Sequence, residues 1–432
     1  MIERYSRPEM TAIWSDDSRY ARWLEIEILA CEARAAAGFM PADAAGRIRR
    51  NARISADAVT EVEEVTRHDV IAFVTVAGES LGADACYFHE GLTSSDILDT
   101  CLATQLRDAG THIVDDLIRL QSITHALALR YKTTLCIGRT HGIHAEPITF
   151  GLKCAGWHQE IDRAIRRMRT AVEEISVGKL SGAVGTYAHL PPEVESHVMQ
   201  ALGLRAEPVA TQVVQRDRHA AFMCAMALAA SAAERIALEI RHCQRSEVRE
   251  LAEPFGKGQR GSSAMPHKKN PILCENISGL CRLVKGYVTQ ALENVALWHE
   301  RDISHSSVER VILPDATIAL DFLLDRLHRV LSGLTIDTGR MRDNIDHLHG
   351  LIFSQRALLA LTSRGVSRDT AYSLVQRNAL KTWENGVPFR EQLLNDADVM
   401  AILSPLDVDA VFDMAAYTVH IDTIFHRAGI LE

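Results

Sequence analysis

Residues 216–247 read RDRHAAFMCAMALAASAAERIALEIRHCQRSE. Phe222, Met226, Ala230, Ala233, Ile236, Ile240 and Cys243 recur there at intervals of three and four. An α-helix turns once every 3.6 residues, so this spacing puts them in one stripe along a single helix. Its uncharged stretch, 220–233, is shorter than the ~20 residues that span a bilayer, which predicts a buried helix and no membrane partner.

Similar stripes run from about Asp96 to Tyr131, Thr149 to Ile175, Pro271 to His299 and Ser307 to Leu334. Helices of such length bury their stripes by packing side by side in a bundle. Alanine is abundant and aromatics make up 6% of residues, which favours close helix packing over sheet. The expected fold is all-α, with a helical domain at 1–93, a central long-helix bundle at 94–349 and a helical domain at 350–432. Long helical rods leave apolar surface for another subunit, so an oligomer is expected.

The 432 residues are 47% hydrophobic and 24% charged, which suits a soluble protein with a large core. A net charge of -9 repels a phosphate backbone, so nucleic acid is not an expected partner. Nine cysteines lie scattered with no CxxC pair, which argues against a disulfide framework or a zinc knuckle. Reduced thiols and no apolar run after Met1 point to the cytoplasm.

Three breaker segments carry reactive side chains. The first, GLTSSD at 91–96, opens a helix. Thr93 and Ser94 there are plain caps, or they aim hydroxyls and helix amides at a carboxylate. The second, GRTHGIHAEP at 138–147, holds His141 and His144. Their spacing is not that of a zinc HExxH site, and an acid–base histidine is better motivated. The third, Pro254 to Pro271, contains GSSAMPHKKNP at 261–271. Asn270 before Pro271 reads as a helix N-cap. Ser262, Ser263 and Lys268 would then sit on a glycine-flanked lid near a helix end that attracts anions; a solvated basic loop fits the same residue types. Arg301, Ser306 and Arg310 are candidate phosphate ligands, because arginine offers a planar fork of donors.

The run from Ser262 to Pro271 resembles the signature loop of the fumarase/aspartase superfamily of fumarate-releasing lyases. Gly91 to Asp96 and Gly138 to Pro147 look like its two other dispersed motifs, in the same order and spacing. His267, Arg4-Tyr5-Ser6, Thr66 to Asp69, Gln212 with Arg216 to Arg218, Trp298 to Ser304 and Ser354 to Arg356 are similar to the adenylosuccinate lyase branch. His267 also occurs in the cycloisomerase branch.

The resemblance implies a homotetramer with a multi-helix core, each active site drawn from three subunits, acting on succinyl nucleotides without metal or cofactor. It implies Ser262 as base and His141 as acid, the latter oriented by Glu275, with His68 a weaker candidate for a share of the acid role. Thr93, Ser94, Ser263, Lys268 and Asn270 would stabilise the carbanion's carboxylate. Arg4, Tyr5, Arg301, Ser306 and Arg310 would hold the phosphate. Arg67, His68, Asp69 and Gln212 would meet the rest of the substrate, with Asn276 also in the binding set. The alternatives are another superfamily lyase or cycloisomerase, and a non-enzymatic structural protein on the same scaffold.

Overall fold

The computed structural model describes residues 1–256, 258, 261, 262 and 264–431. Helix makes up 67% and strand 5%, so the all-α expectation holds. Long helices at Ser94–Arg130, Phe150–Ile175, Asp217–Cys243 and Ser304–Ser332 follow the stripes closely. All seven stripe residues of Asp217–Cys243 are buried, none more than 4% exposed. By length and composition alone that helix could cross a membrane, but its apolar face is spent on the protein interior.

The stripe expected from Pro271 to His299 is not one helix. It forms Ile272–Gly286, an interruption at Tyr287, then Val288–Glu293, and 294–303 is not helical. Glycine at the break weakens the helix. Trp298, near the end of that stretch, is 75% exposed. Its N–H donates to Asp302 Oδ2 at 2.7 Å, and Asp302 Oδ1 accepts the Ser304 N–H at 2.8 Å, at the start of helix Ser304–Ser332.

By compactness the chain falls into two units. Unit one comprises Met1–Arg119, Asp162–Glu234 and Asn276–Leu327; unit two comprises Leu120–Ile161, Arg235–Glu275 and His328–Glu432. Unit one holds an aromatic centre in which Trp23 meets Tyr20 and Phe73 edge-on, at 5.1 and 5.4 Å. Such pairs add about 0.5–1.5 kcal/mol each beyond burial. Unit two gathers Phe353, Leu361, Phe389, Leu393 and Val408 into its own core.

Unit two also contains the main departure from helix. The segment read as a loop at Gly138–Pro147 is most of an antiparallel hairpin, Leu135–Thr140 with Ile143–Thr149. His141 and Gly142 form its turn, both left-handed with φ of 55° and 80°. A two-residue turn with positive φ matches the twist of paired strands. The register shifts at Gly138, where a Cβ would lie 2.8 Å from the Glu146 carbonyl oxygen. Turn signals are visible in the sequence; the flanking pairing is a tertiary fact.

Candidate active site

In unit two, His141 stands exposed at the hairpin tip. Two residues earlier, Arg139 makes a two-pronged contact with Glu250: Nη1 donates to Oε2 at 3.1 Å and Nη2 to Oε1 at 2.7 Å. Glu250 is 1% exposed and also accepts from Asn344 Nδ2 at 2.8 Å. Burial opposes the Arg139 charge, but Glu250 outweighs it and raises the guanidinium pKa. Burial, then Arg139 and His347, lower the pKa of His144. Its ring packs edge-on to His347, and its buried Nδ1 has no hydrogen bond. Those are structural surroundings.

The signature loop has a defined shape. Ser262 Oγ accepts the Ala264 and Met265 N–H groups at 3.3 and 3.1 Å. Asn270 Nδ2 donates to the Gly261 carbonyl at 3.1 Å. A Cβ on Gly261 would lie 2.0 Å from the Lys268 carbonyl oxygen, so only glycine fits there. Lys268 and Glu275 are exposed. Ser263 lies outside the described residues.

The cap expected from Asn270 comes from elsewhere. Glu253 accepts the Leu273 N–H at 3.0 Å and the Cys274 N–H at 2.5 Å. The anion seat of helix Ile272–Gly286 is thus filled by the protein's own carboxylate, and the donors near Ser262 are loop amides. A cap delivered from the far side of the loop leaves no local pattern to read.

In unit one, helix Ser94–Arg130 begins after Thr93, whose N–H donates to Asp96 Oδ2 at 2.9 Å. Asp96 also accepts from Lys179 Nζ, and both side chains are fully buried. Gln212 Nε2 donates to Thr93 Oγ1 at 3.5 Å, and Arg301 Nη1 to Gln212 Oε1 at 3.2 Å. Arg310 donates to Asp69 at 2.5 Å and to Ser306 Oγ at 3.3 Å. Burial would raise the Asp69 pKa, but Arg310 holds it below the ordinary carboxylate value. Arg67, left-handed, ends helix Ala56–Thr66, and His68 caps Asp69–Glu79 by accepting the Ile71 N–H at Nδ1, 3.4 Å away. Asn276 accepts from Arg326. Arg4 is exposed in a short 3-10 turn, and Tyr5 packs edge-on to Phe322 at 5.6 Å.

Arg301, Ser306 and Arg310 share a cavity of about 350 Å³ with Trp14, Arg19 and Trp23. Arg4, Tyr5, Arg67 and His68 do not line it. Asp99, Arg216 and Glu309 line the same cavity, and buried Arg216 forks both Asp99 (2.7 and 2.9 Å) and Glu309 (2.9 and 3.1 Å). Two carboxylates share one guanidinium. Burial raises Glu309, Arg216 pulls it down and Asp99 pushes it up, leaving it at about 7. Arg216 outweighs burial at Asp99 and keeps that pKa low. Sequence reading missed Asp99, Lys179, Glu250, Glu253 and Glu309 as site supports. Their signal was charge next to apolar residues, since a buried charge demands a partner.

The run Gly78 to Gly82 has the GxSxG spacing of a serine-hydrolase elbow. It is the end of helix Asp69–Glu79, where Ser80 Oγ donates to the Ala77 carbonyl at 2.7 Å. An elbow needs a preceding strand, so that chemistry is not built here.

A hydroxyl on a glycine-flanked loop, an exposed imidazole and an arginine-lined cavity suit acid–base chemistry on an anionic substrate. Residues 3–286 match the lyase family, which sets the class. Residues 350–428 match the adenylosuccinate lyase C-terminus. Adenylosuccinate lyase from Thermotoga maritima is 50% identical over 427 residues, 99% of each chain. That from Staphylococcus saprophyticus is 50% identical over 430 residues, 100% of each. Among solved structures, fumarate lyase from Mesorhizobium sp. BNC1 superposes with a TM-score of 0.90 at 26% identity, covering 99% of both chains. The 3-carboxy-cis,cis-muconate lactonizing enzyme from Pseudomonas putida gives 0.89 at 28% identity, covering 98% of this chain and 96% of that one. The chain belongs to the adenylosuccinate lyase family.

Proposed function

We propose that this chain is a carbon–nitrogen lyase of purine nucleotide biosynthesis. It eliminates fumarate from adenylosuccinate, giving AMP, and from SAICAR, giving AICAR. The observation that carries the mechanism is the pair of amides on Ser262 Oγ, in a chain matched end to end by adenylosuccinate lyases.

Ser262 removes the proton beside a succinyl carboxylate, and the carbanion spreads into that carboxylate. His141, oriented by Glu275, protonates the departing nitrogen. Ionising a water-like hydroxyl at neutral pH costs about 12 kcal/mol. Two hydrogen bonds to an alkoxide return about 1.5–3 kcal/mol each. The balance falls to Lys268 and to loss of water when the loop closes. Thr93, Ser94, Ser263, Lys268 and Asn270 donate to the developing oxyanion. Arg301, Ser306 and Arg310, with Arg4 and Tyr5, take the phosphate. Arg67, His68, Asp69, Gln212 and Asn276 meet the remainder. Electrons move only between substrate atoms, so the reaction itself calls for no redox cofactor.

The working form on this reading is a cytoplasmic homotetramer built from the segments 1–93, 94–349 and 350–432, with each active site shared by three subunits. Exposed His141, Lys268 and Glu275 are consistent with groups completed by other chains. Fumarate release from both succinyl nucleotides tests the activity, and its absence with both would overturn it. His141→Ala and Ser262→Ala homotetramers should lose nearly all turnover, and mixing them should restore part of it. No rescue after subunit exchange counts against the shared site.

A further inference from the structure

A catalytic group on a hairpin tip needs something to hold the hairpin. His141 sits in the left-handed region at φ 55°, a conformation that costs a residue with a Cβ and persists only where the surroundings impose it. The tip is exposed, so the constraint must come from the strands. Arg139 lies opposite His144 in the register, one pair below the closing Thr140–Ile143 pair. Its fork on Glu250 ties the hairpin to the protein interior.

Glu250 is itself held on several sides. Its N–H donates to the Cys243 carbonyl at 2.9 Å, and its carbonyl accepts the Asp337 N–H at 3.0 Å. Asn344 Nδ2 donates to Glu250 Oε1 and also to the Val248 carbonyl, at 2.8 and 2.9 Å. The next residues, Leu251–Ala252, pair with Thr335–Ile336. An immobile buried carboxylate thus grips a planar guanidinium two residues from the proposed acid.

We propose that Glu250, acting through Arg139, is a positioning residue for His141. It touches neither substrate nor the reacting atoms. This rests on the reading of His141 as the acid and on the sharing of each site between subunits. Misplacing a catalytic group by an ångström costs about 10²-fold, so Glu250→Gln should lower kcat about 10–100-fold and leave KM within about twofold.

Subunit mixing separates positioning from mere folding. When His141→Ala chains are mixed with Ser262→Ala chains, each rescued site takes His141 from the Ser262→Ala chain. Glu250→Gln placed on that chain should cut the rescued rate by the same 10–100-fold. Placed on the His141→Ala chain, it should leave the rescued rate at the parent level. Arg139→Lys, which keeps the charge and loses the fork, should show the same asymmetry and covers the case in which Glu250→Gln does not assemble. Equal losses in both placements, or wild-type kcat in both single variants, would overturn the proposal. Absence of rescue in the parent mixture would overturn the shared-site reading instead, while a normal kcat for His141→Ala would overturn its role as acid.

Discussion

The two units present their candidate groups in opposite ways. In unit one several of the proposed binding groups are already engaged: Thr93 with Gln212, Gln212 with Arg301, Arg310 with Asp69 and Ser306. Buried ion pairs adjoin them, Lys179 on Asp96 and Arg216 on Asp99 and Glu309. In unit two His141, Lys268 and Glu275 are exposed, and among the described residues Ser262 Oγ meets amides of its own loop. Binding geometry can be fixed within one fold. On the proposed reading, the proton-transfer groups stay exposed because their partners come from other subunits.

The contrast predicts that damage in unit two hits turnover and damage in unit one hits affinity or stability. Ser262→Ala should lower kcat by about 10²–10⁴-fold while calorimetry still detects substrate binding; loss of binding would move Ser262 to the other class. Lys179→Met strands Asp96 as a buried charge and should cost about 3–5 kcal/mol in urea unfolding; a change below about 1 kcal/mol would show that Asp96 is relieved in another way. Arg301→Ala should weaken substrate binding by about 1.5–3 kcal/mol, seen as a raised KM with kcat nearly kept.

A pH effect belongs to unit one. Burial and then Arg216 push His219 down to about 3 and His305 down to about 4, from an ordinary 6.5. The unfolded chain therefore binds protons that the folded chain refuses between about 6.5 and those values. Stability should fall as pH drops through that window, by up to about 1.4 kcal/mol per pH unit for each histidine. Denaturant titrations across pH 7 to 4 should show a shallower loss in His219→Gln. The smallest effect is expected at Asp302→Ala, which removes the acceptor for the Ser304 N–H. It should cost about 1 kcal/mol in thermal unfolding, with kcat nearly unchanged.

Legibility followed the range of the interaction. The helix Asp217–Cys243 was readable because its stripe is a local period of burial. Gly261 was legible as one glycine of a breaker segment, but the close approach of the Lys268 carbonyl that requires glycine there comes from the fold. The hairpin under His141 was not readable, because its turn residues look like any loop until the strands pair. The stretch from Pro271 to His299 misled because periodicity does not separate an inward apolar residue such as Cys281 from an outward one such as Trp298.

The sequence by itself determined the helical class, the long stripes, the three polar segments and the likeness to fumarate-releasing lyases. These reside in residue type and short spacing, which the chain carries before it folds. Only the tertiary structure decided that Glu253 caps the helix after the loop, that Glu250 holds the hairpin of His141, and that Arg216 is shared by two carboxylates. Each is a charge buried at a distance along the chain. Such a charge is stable only where folding brings its partner, and no local pattern names that partner.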